Sequence, residues 1–177
     1  MEFAEARKIA IFGWPASGKS TFGKLISEFN GIELYSLDLI RWKYSENGVK
    51  DDEKFLNDYH NILKNDSWII EGNALDFIDS RLEQADLLIF FDSTTERCIK
   101  NYYDREARVS SGEEVRINFD STKSHDEMTS WIENRYSKKI EKLRPVLKNY
   151  KEKLIVINDY DELNDFIKKL VVRRDDR

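Results

Sequence analysis

The chain predicts an α/β domain, a five-stranded parallel sheet covered by helices on both faces. Three observations predict it. The first is Gly13-Trp14-Pro15-Ala16-Ser17-Gly18-Lys19-Ser20-Thr21, which fits G-x-x-x-x-G-K-[ST]. The second is the setting of that stretch, an apolar run before it and an amphipathic helix after it. The third is the alternation of short apolar runs with helical patterns along the rest of the chain, which places a parallel sheet between helices.

Each position of the first motif has a chemical reason. Gly13 and Gly18 let the backbone curl so that N–H groups around Ala16, Ser17 and Thr21 point at phosphate oxygens. Lys19 reaches the β- and γ-phosphates as a point charge, and the Ser20 hydroxyl ligates Mg²⁺. The helix that begins there turns its positive end toward the same anion. Four such matches arise by chance in well under about 1% of chains this long, given average composition. The motif therefore predicts ATP and Mg²⁺ as cofactors.

The elements follow in order. Lys8–Phe12 reads as a buried parallel strand. Phe22, Leu25, Ile26 and Phe29 lie on one face of the helix after the loop. Glu33–Leu37 is the second strand, ending at Asp38. Asp51–Lys64 is a helix with Phe55, Tyr59, Ile62 and Leu63 on one side. Trp68–Ile70 is the third strand, ending at Glu71-Gly72-Asn73, and Asp76–Gln84 is a short helix. Leu87–Phe91 is the fourth strand, ending at Asp92, and Ser93-Thr94-Thr95-Glu96 reads as a helix start. A polar stretch from Val109 to Ser124, opening on Ser110-Ser111-Gly112, separates two helices. The second runs from Asp126 past Arg135, with Pro145 breaking or kinking it. Leu154–Ile157 is the fifth strand. Asp159 caps a last helix carrying Leu163, Phe166, Ile167 and Leu170.

Composition bounds the function. A chain of 177 residues suffices for one domain with a real core, read here as 1–177. Seven glycines and two prolines leave little room for long linkers. Met1–Lys8 holds no apolar targeting core, and no run is long enough to span a membrane, so the expected compartment is the cytoplasm. The lone Cys98 excludes an internal disulfide and suits a reducing compartment. The net charge of −5, with basic residues interspersed among acids, argues against nucleic acid as partner. His60 and His125 lack partners at metal-ligand spacing, and Tyr102-Tyr103 is read as packing.

Ligands of such sheets bind beyond the carboxyl ends of the strands, where Asp38, Glu71 and Asp92 sit. A carboxylate there can hold an Mg²⁺-bound water or accept a proton from an attacking hydroxyl. Glu71 and Asp92, with Ser20, are the candidate metal residues. Phosphoryl transfer needs little beyond positioning and charge neutralisation.

Together, the phosphate loop, Leu37-Asp38 followed by Trp42, Trp68-Ile69-Ile70-Glu71-Gly72-Asn73, Arg81 ahead of Ala85-Asp86, and the Phe91-Asp92 strand end resemble the adenylate-kinase-related P-loop proteins often labelled DNA topology modulation proteins. The resemblance extends to about Leu170. It implies a core of nucleoside-monophosphate-kinase type, with a helical acceptor insert over 39–66 and a mobile lid over 109–124. It also implies that Asp38 and Trp42 face the acceptor, that Glu71 stands near the metal, and that Arg105 and Arg108 are lid arginines clamping phosphates. Asn73, Arg81 and Arg135 complete the candidate acceptor side. The chain departs from the pattern at Glu71, where relatives keep Asp, and at Asn101, where relatives often carry Arg. Its lid is acidic, with Glu113, Glu114, Asp120 and Asp126 among Arg116 and Lys123.

The expected activity is ATP-dependent phosphoryl transfer to a nucleoside monophosphate or similar small acceptor, with Lys19, Asp38, Arg105 and Arg108 as catalytic residues. Two alternatives stand beside it. One is a small-molecule hydroxyl kinase with Asp38 as base; the other is an ATP-binding switch or slow ATPase acting on a macromolecule.

Overall fold

A computed structural model describes residues 5–46, 49–113 and 124–175. Five strands form one parallel sheet: β1 Lys8–Gly13, β2 Leu34–Ser36, β5 Trp68–Glu71, β6 Leu87–Phe91 and β7 Leu154–Ile157, in the order β2-β5-β1-β6-β7. The predicted architecture is the observed one. β1 is central, with Ile9 opposite Leu87 on one side and Ile69 on the other. A small antiparallel hairpin, β3 Ser45–Glu46 with β4 Val49–Lys50, stands apart from the sheet.

Alternation along the strands explains the two cores. Side chains of a strand point to opposite faces in turn. Ile9 and Ile11 pack with Phe22 and Ile26 of α1 (Lys19–Asn30) and with Leu163 of α8 (Tyr160–Asp175). Ala10 and Phe12 pack on the other face against α3 (Asp52–Leu63), α5 (Thr95–Ser111) and α7 (Ser137–Leu147). Every residue of β1, β5 and β6 except Lys8 is buried, which requires helices on both sides.

Several expectations are corrected. Strand β2 stops at Ser36, and Asp38 lies in the first turn of a seven-residue helix, α2 Leu37–Lys43. Gly72 explains the close fit: a Cβ there would meet Leu37 Cβ at 3.2 Å, and its φ of +115° suits only glycine. Ser110 and Ser111 are not a flexible start but the last turn of α5, closed by Gly112. Residues 114–123, the centre of the expected lid, lie outside the described residues, Glu114, Arg116, Asp120 and Lys123 among them. Helix α6 (His125–Trp131) starts one residue before Asp126, on a capping box of Ser124 and Glu127. It continues through a π turn, Ile132–Tyr136, directly into α7. Pro145 does not break α7, which ends two residues later at Leu147. Ile140, Leu143 and Leu147 are all buried, and that packing outweighs the missing N–H.

The capping prediction for Asp159 is met: it accepts from the Glu162 amide at 2.9 Å. Asp51, read as the first helical residue, is instead the cap of α3, accepting from the Lys54 amide at 3.1 Å. Thr94 caps α5, its side chain accepting from the Arg97 amide at 3.3 Å. The Leu170 side chain lies outside the described ones. Among the described residues no helix is long and apolar enough to cross a membrane.

Candidate active site

The phosphate loop connects β1 to α1 and is held from three sides. Gly13 has φ +123°, and a Cβ there would meet the Phe91 carbonyl oxygen at 2.2 Å, so only glycine fits. Its N–H donates to Asn73 Oδ1 at 3.2 Å and its carbonyl accepts from Tyr136 Oη at 2.9 Å. The next amide, Trp14 N–H, donates to Phe91 O at 2.9 Å. Asn101 Nδ2 donates to Ala16 O at 3.0 Å. Ser17 Oγ closes the loop on Trp14 O at 2.6 Å.

Helix α1 begins at Gly18 with no side-chain cap and no acid in its first turn. Its first amides and its positive end are therefore left for an external anion. Lys19 is buried beside them, its ammonium donating to Trp14 O. Burial pulls its pKa below the ordinary lysine value, while Glu71 and Asp38 act to raise it and Arg105 lowers it further. The charges of Asp38 on α2 and Arg105 on α5 thus act on Lys19. Arg108 lies one turn on from Arg105, exposed.

Ser20 Oγ donates to Glu71 Oε2 at 3.0 Å. Glu71 ends β5, is buried, and has a raised pKa, chiefly from burial; Lys19 and Ser20 oppose the shift. Ser20 and Glu71 are hard oxygen donors of the kind Mg²⁺ takes, one or two from protein with water and phosphate completing the shell. Asp92, the third candidate, is engaged elsewhere. It pairs with Arg144 at 2.7 Å and accepts from Trp14 Nε1 at 3.2 Å.

The acceptor side is only partly as expected. Asp38 and Trp42 are both exposed on α2. Asn73 serves the phosphate loop through Gly13. Arg81 is fully buried, with NH1 donating to Gly72 O at 2.9 Å and NH2 to Asn73 O at 2.5 Å. It fixes the loop after β5 from behind, and its burial was not legible from its neighbours in sequence. Arg135 is exposed in the π turn.

Sequence reasoning missed Tyr136, whose bond to Gly13 spans 123 positions. It also missed the cleft beside the loop, lined by Ser17, Ser93, Arg97, Asn101 and Tyr160. There Asn101 Nδ2 also approaches Tyr160 Oη at 3.3 Å, and Arg97 donates to Asn158 O at 2.7 Å. Asn101, noted only as a missing arginine, holds the phosphate loop instead.

No protein-family model and no curated protein matches the sequence. Solved structures do match in fold. A shikimate kinase from Bacteroides thetaiotaomicron aligns with a TM-score of 0.59 at 15% identity, over 93% of this chain and 96% of that one. A gluconokinase from Sinorhizobium meliloti 1021 aligns with a TM-score of 0.60 at 15% identity, over 94% of this chain and 90% of that one. A shikimate kinase from Acinetobacter baumannii, in complex with shikimate, aligns with a TM-score of 0.54 at 15% identity, over 97% and 96%. The fold of this chain is that of the P-loop kinases.

Proposed function

We propose that the chain is an ATP-dependent phosphotransferase acting on a small-molecule acceptor. One observation carries the reading. The uncapped start of α1, the buried Lys19 ammonium and the Ser20–Glu71 pair converge on one spot, at the carboxyl end of the central strand. That spot is built for a polyphosphate and a small divalent ion. Ser20 and Glu71 would hold Mg²⁺, which supplies charge neutralisation on the phosphates when bound. Lys19 would leave Trp14 O for the β- and γ-phosphates. Arg105, whose charge already reaches Lys19, would add a second cation on the transferred group. Arg108, one turn further on, would join it.

A hydroxyl acceptor is favoured over a nucleoside monophosphate. A monophosphate needs arginines for its own phosphate. Arg81 is engaged with two carbonyls, and Arg41 with Asp52 and the faces of Phe55 and Phe77. Asp38, by contrast, is exposed in the first turn of α2, just beyond the carboxyl end of β2, where a carboxylate can take a hydroxyl proton. Trp42 beside it offers a face to a ring-shaped acceptor. The kinases of similar fold, of shikimate and gluconate by name, agree with a small acceptor. The Leu37-Asp38, Trp42 and Ile70-Glu71-Gly72-Asn73 motifs support kinship with the proteins labelled DNA topology modulation proteins.

The test is calorimetric titration with Mg·ADP, then a thermal-shift screen of alcohols, sugar acids and nucleoside monophosphates with a non-hydrolysable ATP analogue. Binding of Mg·ADP with a shift from an alcohol or acid supports the reading. A shift from monophosphates alone would favour the nucleotide acceptor, with Arg135 holding its phosphate. No nucleotide binding overturns the proposal.

A further inference from the structure

The helix α7 and the π turn before it reach the phosphate loop at two points. Tyr136, last residue of the π turn, donates its hydroxyl to Gly13 O at 2.9 Å. Its ring stands between Trp14 and Trp131, with centroids 5.9 and 4.9 Å away. Eight residues on, Arg144 pairs with Asp92, which accepts from the Trp14 indole N–H.

The Tyr136 bond has a specific consequence. Gly13 O and Trp14 N–H belong to one peptide plane and point in opposite directions. The first is fixed by Tyr136 and the second by Phe91 O. Gly13, with φ +123°, otherwise offers the least resistance to a flip of that plane. A flip would reorient the chain leading into Trp14 O, the carbonyl that accepts from both Ser17 and Lys19. The π turn is what brings Tyr136 there. A π turn adds a residue to the helical repeat and shifts every later side chain around the axis, and such turns concentrate at functional sites. Burial holds the Tyr136 phenol far above its ordinary pKa, so it remains a donor at physiological pH.

We propose that Tyr136 is a positioning residue for the phosphate loop, with Arg144 as its partner through Asp92. The helix that returns the chain from residues 114–123 thereby braces the loop in its anion-binding shape. The proposal rests on the phosphotransferase reading, since it concerns how the loop is held for a nucleotide.

Tyr136→Phe keeps the ring between the two tryptophans and removes only the hydroxyl. Its Kd for Mg·ADP should rise about fivefold or more, the order of one buried hydrogen bond. Arg144→Gln, at a half-exposed site, should raise Kd about two- to threefold, as expected of a partly exposed pair. Ile140→Val, buried in the same helix, is the packing control and should lower Tm without moving Kd. Unchanged Kd in Tyr136→Phe and Arg144→Gln, with wild type binding Mg·ADP, overturns the brace and leaves the phosphotransferase reading intact. An equal loss of affinity in Ile140→Val overturns it too, because general loosening of the helix would then suffice. Absence of Mg·ADP binding by the wild type overturns both readings. If Tyr136→Phe does not fold, Arg144→Gln decides by the same criterion.

Discussion

Ser20 Oγ donates to Glu71 Oε2 at 3.0 Å, so the hydroxyl at the start of α1 is seated on a buried carboxylate at the end of β5. Glu71 carries a pKa above the ordinary glutamate value because burial disfavours its charge. The folded chain therefore holds that proton more tightly than the unfolded chain. Between the ordinary value of 4.5 and the raised one, stability falls as pH rises. Glu71→Gln removes that cost. The variant should melt higher than wild type at pH 7–8, with the advantage shrinking as pH drops toward 4, while the Mg²⁺ dependence of nucleotide affinity weakens. Thermal melts across pH, and ADP titration with and without Mg²⁺, check both halves.

Lys19 is the opposite case with the same outcome. Burial lowers its pKa, so the folded state holds its proton less tightly than the unfolded chain. Stability then rises with pH between the lowered value and the ordinary 10.5, and at neutral pH the buried charge is a cost. Lys19→Met should lose ATP binding while its ligand-free Tm stays equal or rises by a few degrees, on the order of 2–4 °C per kcal/mol for a chain of this size. A variant of wild-type nucleotide affinity would remove Lys19 from the site.

Asp38→Asn keeps the size of the side chain and deletes its charge. Turnover with the true acceptor should fall by about 10²–10⁴, the usual contribution of a positioned base. The KM for ATP should stay within about twofold, because the role proposed for Asp38 is at the acceptor hydroxyl and not on the phosphate loop. Steady-state kinetics with both substrates varied give the split. An unchanged kcat would leave Asp38 as a first-turn acid favourable to α2 and nothing more.

Arg81→Ala should destabilise the fold before it affects any ligand directly. It strands Gly72 O and Asn73 O in the interior, each costing roughly 1–3 kcal/mol. The expected fall in Tm is on the order of 5–15 °C. Calorimetry on the ligand-free protein measures it. A variant with wild-type Tm and lost acceptor binding would show Arg81 working as a ligand instead.

The phosphate loop and the sheet were legible because both are local signals. Gly13, Gly18, Lys19 and Ser20 lie within eight positions, and apolar runs such as Leu87–Phe91 announce buried strands without reference to partners. Asp38 was legible as a site residue but not as helical. Helix α2 is too short to show a period, and its start is set by packing of Leu37 against Gly72. Arg81 was read as an acceptor-side residue, because sequence carries no sign of which guanidinium will cap the pair of carbonyls that follows a strand. Asp92 was legible as a strand-end acid, but its pairing with Arg144, 52 positions away, was not. Tyr136 falls in a buried series with Ile132, Ile140 and Leu143, so the sequence can show it as a packing residue but not as the donor that reaches Gly13 across 123 positions.

The central position of β1 has a consequence for how the protein is made. Its neighbours in the sheet are β5 and β6, so the first of the five sheet strands to be synthesised cannot be flanked on both sides until Phe91 has been added. At about 5–20 residues per second, Ile9-Ala10-Ile11-Phe12 waits on the order of several seconds with its apolar sides exposed. During that interval the nascent chain presents an unpaired, uncharged strand, the segment most open to capture by a chaperone or by another copy emerging from the same message.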